Sequence, residues 1–203
     1  TSATPATNGA FDCTSDCTMT SAGVTLTGDM NITGRSSITT ITAKTSGSRR
    51  HFYVGSGRTL TLKWLNLTGG RMMGSYPNHR GGSIWVDGTG STLHATSCVF
   101  FLNTASDAGG GVYNLGGHLQ LHHSNITENT AQYGGGVWNW DSGGVYSYEG
   151  SMVVQDSIIA DNKAGSTGGG IYLQSQATLT ITRSVIKENR QTLPRTRAYW
   201  GGG

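Results

Sequence analysis

The repeat unit of this chain is clearest in "GGGVYNLGGHLQLHHSNITEN", residues 109–129. A glycine run leads into a short strand with an aliphatic and an aromatic residue, and a second, alternating segment then ends in asparagine. Glycine runs in the same position begin at residues 81, 109, 134, 168 and 201, so the period varies between 25 and 34 residues. A unit this short cannot bury a core alone, so successive copies must stack on one another.

The aligned repeats place apolar residues in columns. Because side chains alternate between the two faces of a strand, every second residue points to the interior. The inward columns contain Ile84, Val112, Val137 and Ile171 after the glycines, and Leu93, Leu119, Met152 and Leu179 in the second segment. A looser version of the pattern extends back to residue 23. The columns predict an all-β fold, a parallel β-helix (β-solenoid) of about six or seven coils over residues 23–203, preceded by a cap or leader segment at 1–22.

Each alternating segment ends in an asparagine, and the four are Asn103, Asn129, Asn162 and Asn189. Stacked coils would bring these side chains into one column at a turn. Because buried amides need hydrogen-bond partners, we expect a ladder in which each asparagine bonds its neighbours. The final "GGG", residues 201–203, repeats the start of a coil. We therefore expect the chain to be a fragment whose β-helix continues beyond residue 203.

The paired motif is a Gly-Gly-x-[I/V/L] strand followed by an F-x-x-N strand. "GGSI" at 81–84 and "FFLN" at 100–103 carry it, and later repeats replace the phenylalanine by isoleucine. The motif resembles the polymorphic outer membrane protein repeat of chlamydial autotransporter adhesins. The resemblance implies a right-handed parallel β-helix of the pectin-lyase-like superfamily. It also implies an adhesive or structural surface protein, since most members of that group are of this kind.

Several features indicate a secreted or cell-surface protein. Three N-x-[S/T] sequons, which are candidate N-glycosylation sites, occur at Asn31, Asn66 and Asn125. Cys13 and Cys17 are close enough in sequence for a local disulfide, whereas Cys98 stands alone and is expected to be buried. No apolar run approaches the length of a membrane helix, so we expect no direct membrane insertion.

The charge of the chain is modest, with a formal net charge of +3 and 12% charged residues. Basic residues gather near the C-terminus and at 49–51, but no nucleic-acid-binding motif accompanies them. We interpret them as solvated charges and expect no nucleic-acid partner.

No catalytic set is recognisable, so we assign no catalytic residue and expect no enzyme. Glycoside hydrolysis needs two carboxylates across the scissile bond, and a lyase of this fold would need an acidic cluster for Ca²⁺. The best acidic set is the column just before the asparagines, formed by Glu128, Asp161 and Glu188. We interpret it as a solvated charged face, with a Ca²⁺ site as the alternative and no other cofactor. His118 and His122 are likewise interpreted as exposed strand histidines, with a shared metal as the alternative.

The aromatic residues form a more distinctive column. Trp85, Tyr113, Trp138 and Tyr172 each follow an inward aliphatic residue, and Trp140 lies just before the insertion at 141–149. Alternation predicts that these side chains point outward and stack along one face. The face is either a self-stacked ladder, roofed by the insertion, or a ligand-binding surface for sugar rings or a neighbouring protein.

The leading hypothesis is a non-catalytic, secreted or cell-surface β-helix with a structural or adhesive role. It would associate with copies of itself or with neighbouring surface proteins, in a glycosylated fibre or wall layer. The alternative is a carbohydrate-binding module or a polysaccharide lyase. Ice binding is a minor alternative, suggested by outward threonine pairs such as Thr59 and Thr61, although histidine-containing and glutamine-containing repeats interrupt them.

Overall fold

The structure is a computed structural model of the chain, and it describes residues 2–3, 15–19, 23–35, 38–43, 47–74, 79–133, 137–140, 150–174 and 176–192. Strands and turns account for these residues, and no helix occurs among them. The described part of the chain accordingly has no helix with the length and apolar character needed to cross a membrane.

The strands form four parallel sheets, numbered here in the order in which one coil passes through them. Sheet 1 contains Val24–Thr25, Phe52–Val54, Ile84–Asp87, Val112–Leu115, Val137–Trp140 and Ile171–Gln174. Sheet 2 contains Met30–Thr33, Thr59–Lys63, Thr92–Thr96, His118–His122, Ser151–Gln155 and Thr178–Thr182. Sheet 3 contains Ser2–Ala3, Cys17–Met19, Thr39–Ala43, Leu65–Thr68, Val99–Phe101, Asn125–Thr127, Ile158–Ala160 and Val185–Lys187. Sheet 4 contains Arg71–Met72, Thr104–Ala105, Thr130–Tyr133, Lys163–Thr167 and Arg190–Gln191.

The predicted parallel β-helix is confirmed by the register of these sheets. In sheet 2, Leu93 pairs with Leu119, Leu119 with Met152, and Met152 with Leu179. The inward side chains of sheets 1, 2 and 3 form one continuous hydrophobic cluster. Stacking therefore buries apolar side chains that no single coil could bury alone. The described strands of sheets 1 and 2 make six coils, in agreement with the predicted six or seven.

Five of the six coils turn sharply, through a left-handed residue, at both ends of their sheet 3 strand. At the first corner the left-handed conformation is adopted by Trp64, Ser97, His123, Asp156 and Arg183. At the second corner it is adopted by Gly69, Leu102, Glu128, Asp161 and Glu188. Left-handed φ values are disfavoured for residues with a Cβ, so the stacking of neighbouring coils must hold these positions in place.

The N-terminal segment contributes to the β-helix. Cys17–Met19 pairs in parallel with Ile41–Ala43 in sheet 3, and the side chains of Cys17 and Met19 belong to the main core. Cys17 is disulfide-bonded, whereas its predicted partner, Cys13, lies outside the described residues. The part of 1–22 that the structure describes thus contributes two rungs to sheet 3, Ser2–Ala3 and Cys17–Met19.

Candidate functional site

The predicted aromatic column exists on the outer side of sheet 1 and begins one coil earlier than we had assigned. Tyr53 is in register with Trp85, and Trp85 is in register with Tyr113. The ring centroids of Trp85 lie 5.4 Å from Tyr53 and 5.6 Å from Tyr113, with edge-to-face interplanar angles of 83°. This geometry is favourable for aromatic pairs, so the column holds adjacent coils together. We call Tyr53, Trp85 and Tyr113 the aromatic ladder.

Of the two alternatives for this column, a self-stacked ladder or an open binding face, the burial of Trp85 and Tyr113 favours the ladder. Trp85 is only 8% exposed and Tyr113 is fully buried. Both point away from the β-helix interior, but they form a second small core with Ala108, which lies in the connection between sheets 4 and 1. The connection of the preceding coil, between Arg71–Met72 and Ile84–Asp87, also passes close to the ladder at Gly81, where a Cβ would lie 2.5 Å from Ile84 O and 3.1 Å from the Cβ of Trp85. The path of these connections, which strand alternation does not encode, buries the rings.

The other predicted aromatic residues are less completely described. Tyr172 is partly buried and packs against the second core. Trp138 is in register with Tyr113 and with Tyr172, and Trp140 ends the same strand. The side chains of Trp138 and Trp140, like the insertion at 141–149, lie outside the described part of the structure.

Arginine side chains stack on two members of the aromatic ladder. The guanidinium carbon of Arg80 lies 5.1 Å from the Tyr113 ring centroid, its Nη1 donates to the Tyr113 hydroxyl at 2.9 Å, and its Nε donates to Asp107 Oδ2 at 2.8 Å. The guanidinium carbon of Arg50 lies 4.7 Å from the Trp85 ring centroid. Burial raises the pKa of the Tyr113 hydroxyl above its usual range. The ladder is therefore a cation–π stack enclosed by protein.

The asparagine column forms a continuous ladder of hydrogen bonds at the corner between sheets 3 and 4. The backbone N–H of Asn103 donates to Asn129 Oδ1 at 3.0 Å, and the backbone N–H of Asn129 donates to Asn162 Oδ1 at 3.0 Å. Each side-chain amide also donates to the next asparagine and to a carbonyl of the previous coil, as Asn129 Nδ2 does to Phe100 O at 2.9 Å. Asn189 ends the described ladder, where its Oδ1 accepts from Asn162 N at 3.1 Å. The buried turn amides thus satisfy one another.

A second polar ladder runs along the first corner, and the sequence analysis did not assign hydrogen bonds to it. Cys98 N donates to Ser124 Oγ at 3.1 Å, Ser124 N to Ser157 Oγ at 3.0 Å, and Ser157 N to Ser184 Oγ at 3.1 Å. The Cys98 thiol is buried, and desolvation raises its pKa to about 11. The sequence feature that could have predicted this ladder is the column formed by Cys98, Ser124, Ser157 and Ser184. Small side chains with a donor and an acceptor suit a buried corner.

The acidic column occupies the left-handed positions of the second corner. Glu128, Asp161 and Glu188 follow one another from coil to coil; Glu128 and Glu188 are exposed, and Asp161 is half-buried. Lys187 Nζ lies 3.9 Å from Glu188 Oε2, so a positively charged side chain lies beside the last carboxylate of the column. Among the described residues, no group of three or more histidine, cysteine or acidic side chains is arranged to hold a metal ion. The structure therefore brings these acids to one edge without building a ligand cluster.

The outer face of sheet 2 is mainly polar. His94 Nδ1 lies 3.0 Å from Gln120 Oε1 in the next coil, and His118 Nδ1 lies 2.7 Å from Ser151 Oγ. His122 pairs in register with Thr96 and Gln155, and it is separated from the threonine-rich rung at 178–182 by the coil that contains Gln155. His94 and His118 thus lie within hydrogen-bonding distance of side chains in the next coil, and the threonine rungs are interrupted as the sequence indicates.

The predicted glycosylation sites differ in exposure. Asn31 is exposed on sheet 2, whereas Asn66 and Asn125 are half-buried on the outer face of sheet 3, where both are in register with Val99. The Asn66 Oδ1 atom is buried and has no hydrogen-bond partner. Asn31 is consequently the most accessible acceptor of the three.

One exposed aromatic residue was missed by the sequence analysis. Trp64 is 48% exposed, has a φ of 55°, and lies directly above Ile38, which is 50% exposed. A bulky residue in the left-handed region is unusual. Its exposure could have been predicted from the sequence, because Trp64 aligns with the polar corner residues Ser97 and His123 of the following coils.

A buried histidine was also missed. His51 is fully buried, with Nε2 at 3.1 Å from Ile41 O and 3.2 Å from Thr68 O, and Nδ1 at 3.0 Å from Ser83 Oγ. The two carbonyls require that Nε2 carries the proton, so Nδ1 accepts from the Ser83 hydroxyl. Desolvation lowers the pKa of His51 to about 4, which keeps the ring neutral. The residue ties three coils together.

The stacked parallel coils, the two polar ladders and the enclosed aromatic ladder define a β-solenoid. A family model described as "Right handed beta helix region" matches residues 71–193, more than half of the chain. The chain belongs to this family, which supports the pectin-lyase-like superfamily expected from the repeat motif. Neither the curated proteins nor the solved structures provide a significant match.

Proposed function

We propose that this β-helix is a non-catalytic structural element of a secreted or cell-surface protein. In this proposal its outer faces make adhesive contacts with neighbouring surface proteins, with glycans or with further copies of itself. The observation that carries the proposal is the use of the repeated polar residues. Hydrogen bonds between adjacent coils occupy the side chains of Asn103, Asn129 and Asn162 and those of the serines at the first corner. Such a repeat maintains a stiff, elongated scaffold.

The proposal is tested on the native full-length protein. We expect electron microscopy to show rods or filaments, immunolabelling of intact cells to mark the surface, and sedimentation velocity to show association that increases with concentration. Compact monomers at all concentrations, with label confined to the cell interior, would contradict it. Cleavage of a polysaccharide by the purified protein would also contradict the proposal.

A carbohydrate-binding role is the second candidate, and Trp64 is the observation that favours it. Trp64 is 48% exposed at the corner between sheets 2 and 3, next to the exposed Lys63. An exposed indole offers an apolar face for the C–H groups of a sugar ring, and the neighbouring ammonium suits an acidic sugar. A polysaccharide lyase would additionally use Ca²⁺ and release unsaturated sugars.

A glycan array separates this candidate from the first. We expect Trp64→Ala to abolish binding of any retained glycan, because the stacking surface is lost. Leu102→Ala is the matched control, since Leu102 is also half exposed in a left-handed corner. Equal loss in both variants, or no retained glycan in the native protein, rejects the candidate. Release of unsaturated products in the presence of Ca²⁺ would instead identify a lyase.

A further inference from the structure

The outer surface of sheet 3 carries almost no charge along six consecutive strands, from Thr39–Ala43 to Val185–Lys187. We call this surface the sheet 3 face. Two side chains of each strand point outward and form two columns, which are Thr40, Asn66, Val99, Asn125, Ile158 and Val185, and Thr42, Thr68, Phe101, Thr127, Ala160 and Lys187. Among these described residues Lys187 alone is charged, and Ile158 and Val185 are 37% and 48% exposed. An uncharged face of this kind resembles the central part of a protein–protein interface.

The two corners that flank the sheet 3 face differ in a regular way within each coil. The residue at the first corner precedes the residue at the second corner by five positions, and one lies on each side of the face. In coil order, the pairs are Trp64 and Gly69, Ser97 and Leu102, His123 and Glu128, Asp156 and Asp161, and Arg183 and Glu188. A large side chain is therefore matched with a small one in the first two pairs, and a basic one with an acidic one in the third and the fifth.

The fourth pair is the exception, because both of its members are acids. The Asp156 carboxylate, however, already accepts hydrogen bonds from Arg183 Nε at 2.7 Å and Nη2 at 2.8 Å. The Arg183 side chain is still 62% exposed, so its guanidinium remains open to a further partner. The first corner thus offers positive charge in the last coil, whereas Glu128, Asp161 and Glu188 make the second corner acidic.

We propose that the sheet 3 face binds the sheet 3 face of a second copy of this chain. In this dimer a two-fold axis runs parallel to the β-helix axis, so the coils of both copies stack in the same direction and the facing strands are antiparallel. This symmetry sets the first corner of each copy against the second corner of the same coil in the other copy. The inference rests on the structural function proposed above, for which it names one partner and one face.

The arrangement makes the matched corners meet between copies. Trp64 lies over Gly69 of the second copy, and Arg183 lies beside Glu188 of the second copy. The two outward columns also meet, so that Val99 contacts Phe101 of the second copy. Reversing the coil order would instead set the acidic second corner against itself, where like charges repel.

The size of the face predicts a weak dimer. Six strands at a spacing of about 4.8 Å extend about 24 Å along the axis. A contact of this extent belongs to the small, transient class of interfaces, and we expect a dissociation constant of about 10–1000 µM. The contact also leaves no room for glycans on Asn66 and Asn125, which lie on the face, whereas Asn31 on sheet 2 stays available.

Sedimentation velocity of the full chain measures this dissociation constant. Ile158→Asp should weaken the dimer at least tenfold, because it places a carboxylate in the uncharged centre of the contact. Arg58→Glu is the matched control and should have no effect, since Arg58 is exposed in the turn between sheets 1 and 2. Circular dichroism checks that each variant has the native fold.

A charge exchange tests the arrangement of the two copies. Arg183→Glu and Glu188→Arg should each weaken the dimer about tenfold, because each brings like charges together at both symmetry-related contacts. An equimolar mixture of the two variants should recover the native affinity, since both contacts are then between opposite charges.

Four outcomes would overturn the proposal. They are a chain that stays monomeric up to millimolar concentration, association that Ile158→Asp leaves unchanged, no recovery in the mixture, and glycans on Asn66 or Asn125 in the mass spectrum of the native protein. Rods and surface labelling of the native protein test the structural function separately, so the dimer can fail while that function stands.

Discussion

Asn162 accepts two hydrogen bonds from Asn129 through a single side-chain oxygen. Its Oδ1 lies 3.0 Å from the backbone nitrogen and 3.0 Å from the side-chain nitrogen of Asn129. The Asn162 side chain in turn donates to Ile126 O at 2.8 Å. Each asparagine therefore depends on the one in the next coil, so the ladder couples the stability of adjacent coils.

Removing one rung of this ladder should be costly. In Asn129→Ala, the backbone N–H of Asn103 and the carbonyl of Phe100 lose their partners in a buried corner. We expect the free energy of unfolding to fall by about 3 kcal/mol, measured by urea denaturation. The control is Glu128→Ala at the preceding, exposed position, for which a change of less than about 0.5 kcal/mol is expected. Similar losses in both variants would show that the ladder is not stabilising.

The left-handed corner at Leu102 should allow a stabilising substitution. Leu102 has a φ of 54° and is half exposed, so its side chain contributes little packing in return for the backbone strain. Leu102→Asn should raise the free energy of unfolding by about 0.5–1 kcal/mol, because asparagine tolerates this conformation better. Leu102→Val, which is apolar but β-branched, should lower it. The thermal midpoints of both variants give the measurement, and a gain with valine would exclude backbone strain as the cause.

The buried His51 should make the fold sensitive to acid. Its pKa is about 4 in the folded state, below the unfolded value of 6.5, so the unfolded chain binds the proton first as the pH falls. Its contribution to stability is complete above pH 6.5 and is lost progressively down to about pH 4, by an amount of about 3 kcal/mol.

The comparison for this prediction is His51→Gln, whose amide can donate to the two carbonyls and accept from Ser83. Urea denaturation of the native protein and the variant between pH 4 and 7 should show a flatter pH dependence in the variant. His123→Gln, at an exposed corner, serves as the control and should retain the native slope. If all three proteins lose stability in parallel, His51 is not the acid-sensitive group.

The Cys98 thiol should be unreactive in the folded protein. Burial raises its pKa to about 11, so very little thiolate exists at pH 8 and reagents cannot reach it. Titration with a chromogenic disulfide should detect the thiol only after denaturation. Cys98→Ser should be tolerated better than Cys98→Val, because serine continues the hydrogen bonds of Ser124 and Ser157. Rapid labelling of the native protein would contradict this account.

Strand periodicity was sufficient to predict the core. Leu93 and Leu119 occupy equivalent places in consecutive repeats, and the structure pairs them in register. The same alignment placed Asn103 and Asn129 in one column, where they are hydrogen-bonded. These relationships are local in a solenoid, because a residue contacts mainly its equivalents one coil away.

The surroundings of outward side chains could not be predicted in this way. The direction of Trp85 follows from alternation, but its burial depends on where the connections at 79–83 and 105–111 run. In the sequence, His51 is an ordinary residue at the start of a strand. Its buried environment is formed by Ile41, Thr68 and Ser83, which belong to three different coils.

The amino-acid order alone therefore establishes the coil, its register and its interior, since these repeat with the period of the chain. Whether an outward residue becomes part of a buried ladder or of an exposed surface is settled by irregular connections that differ from coil to coil. Their paths depend on long-range packing, which a repeating pattern does not encode.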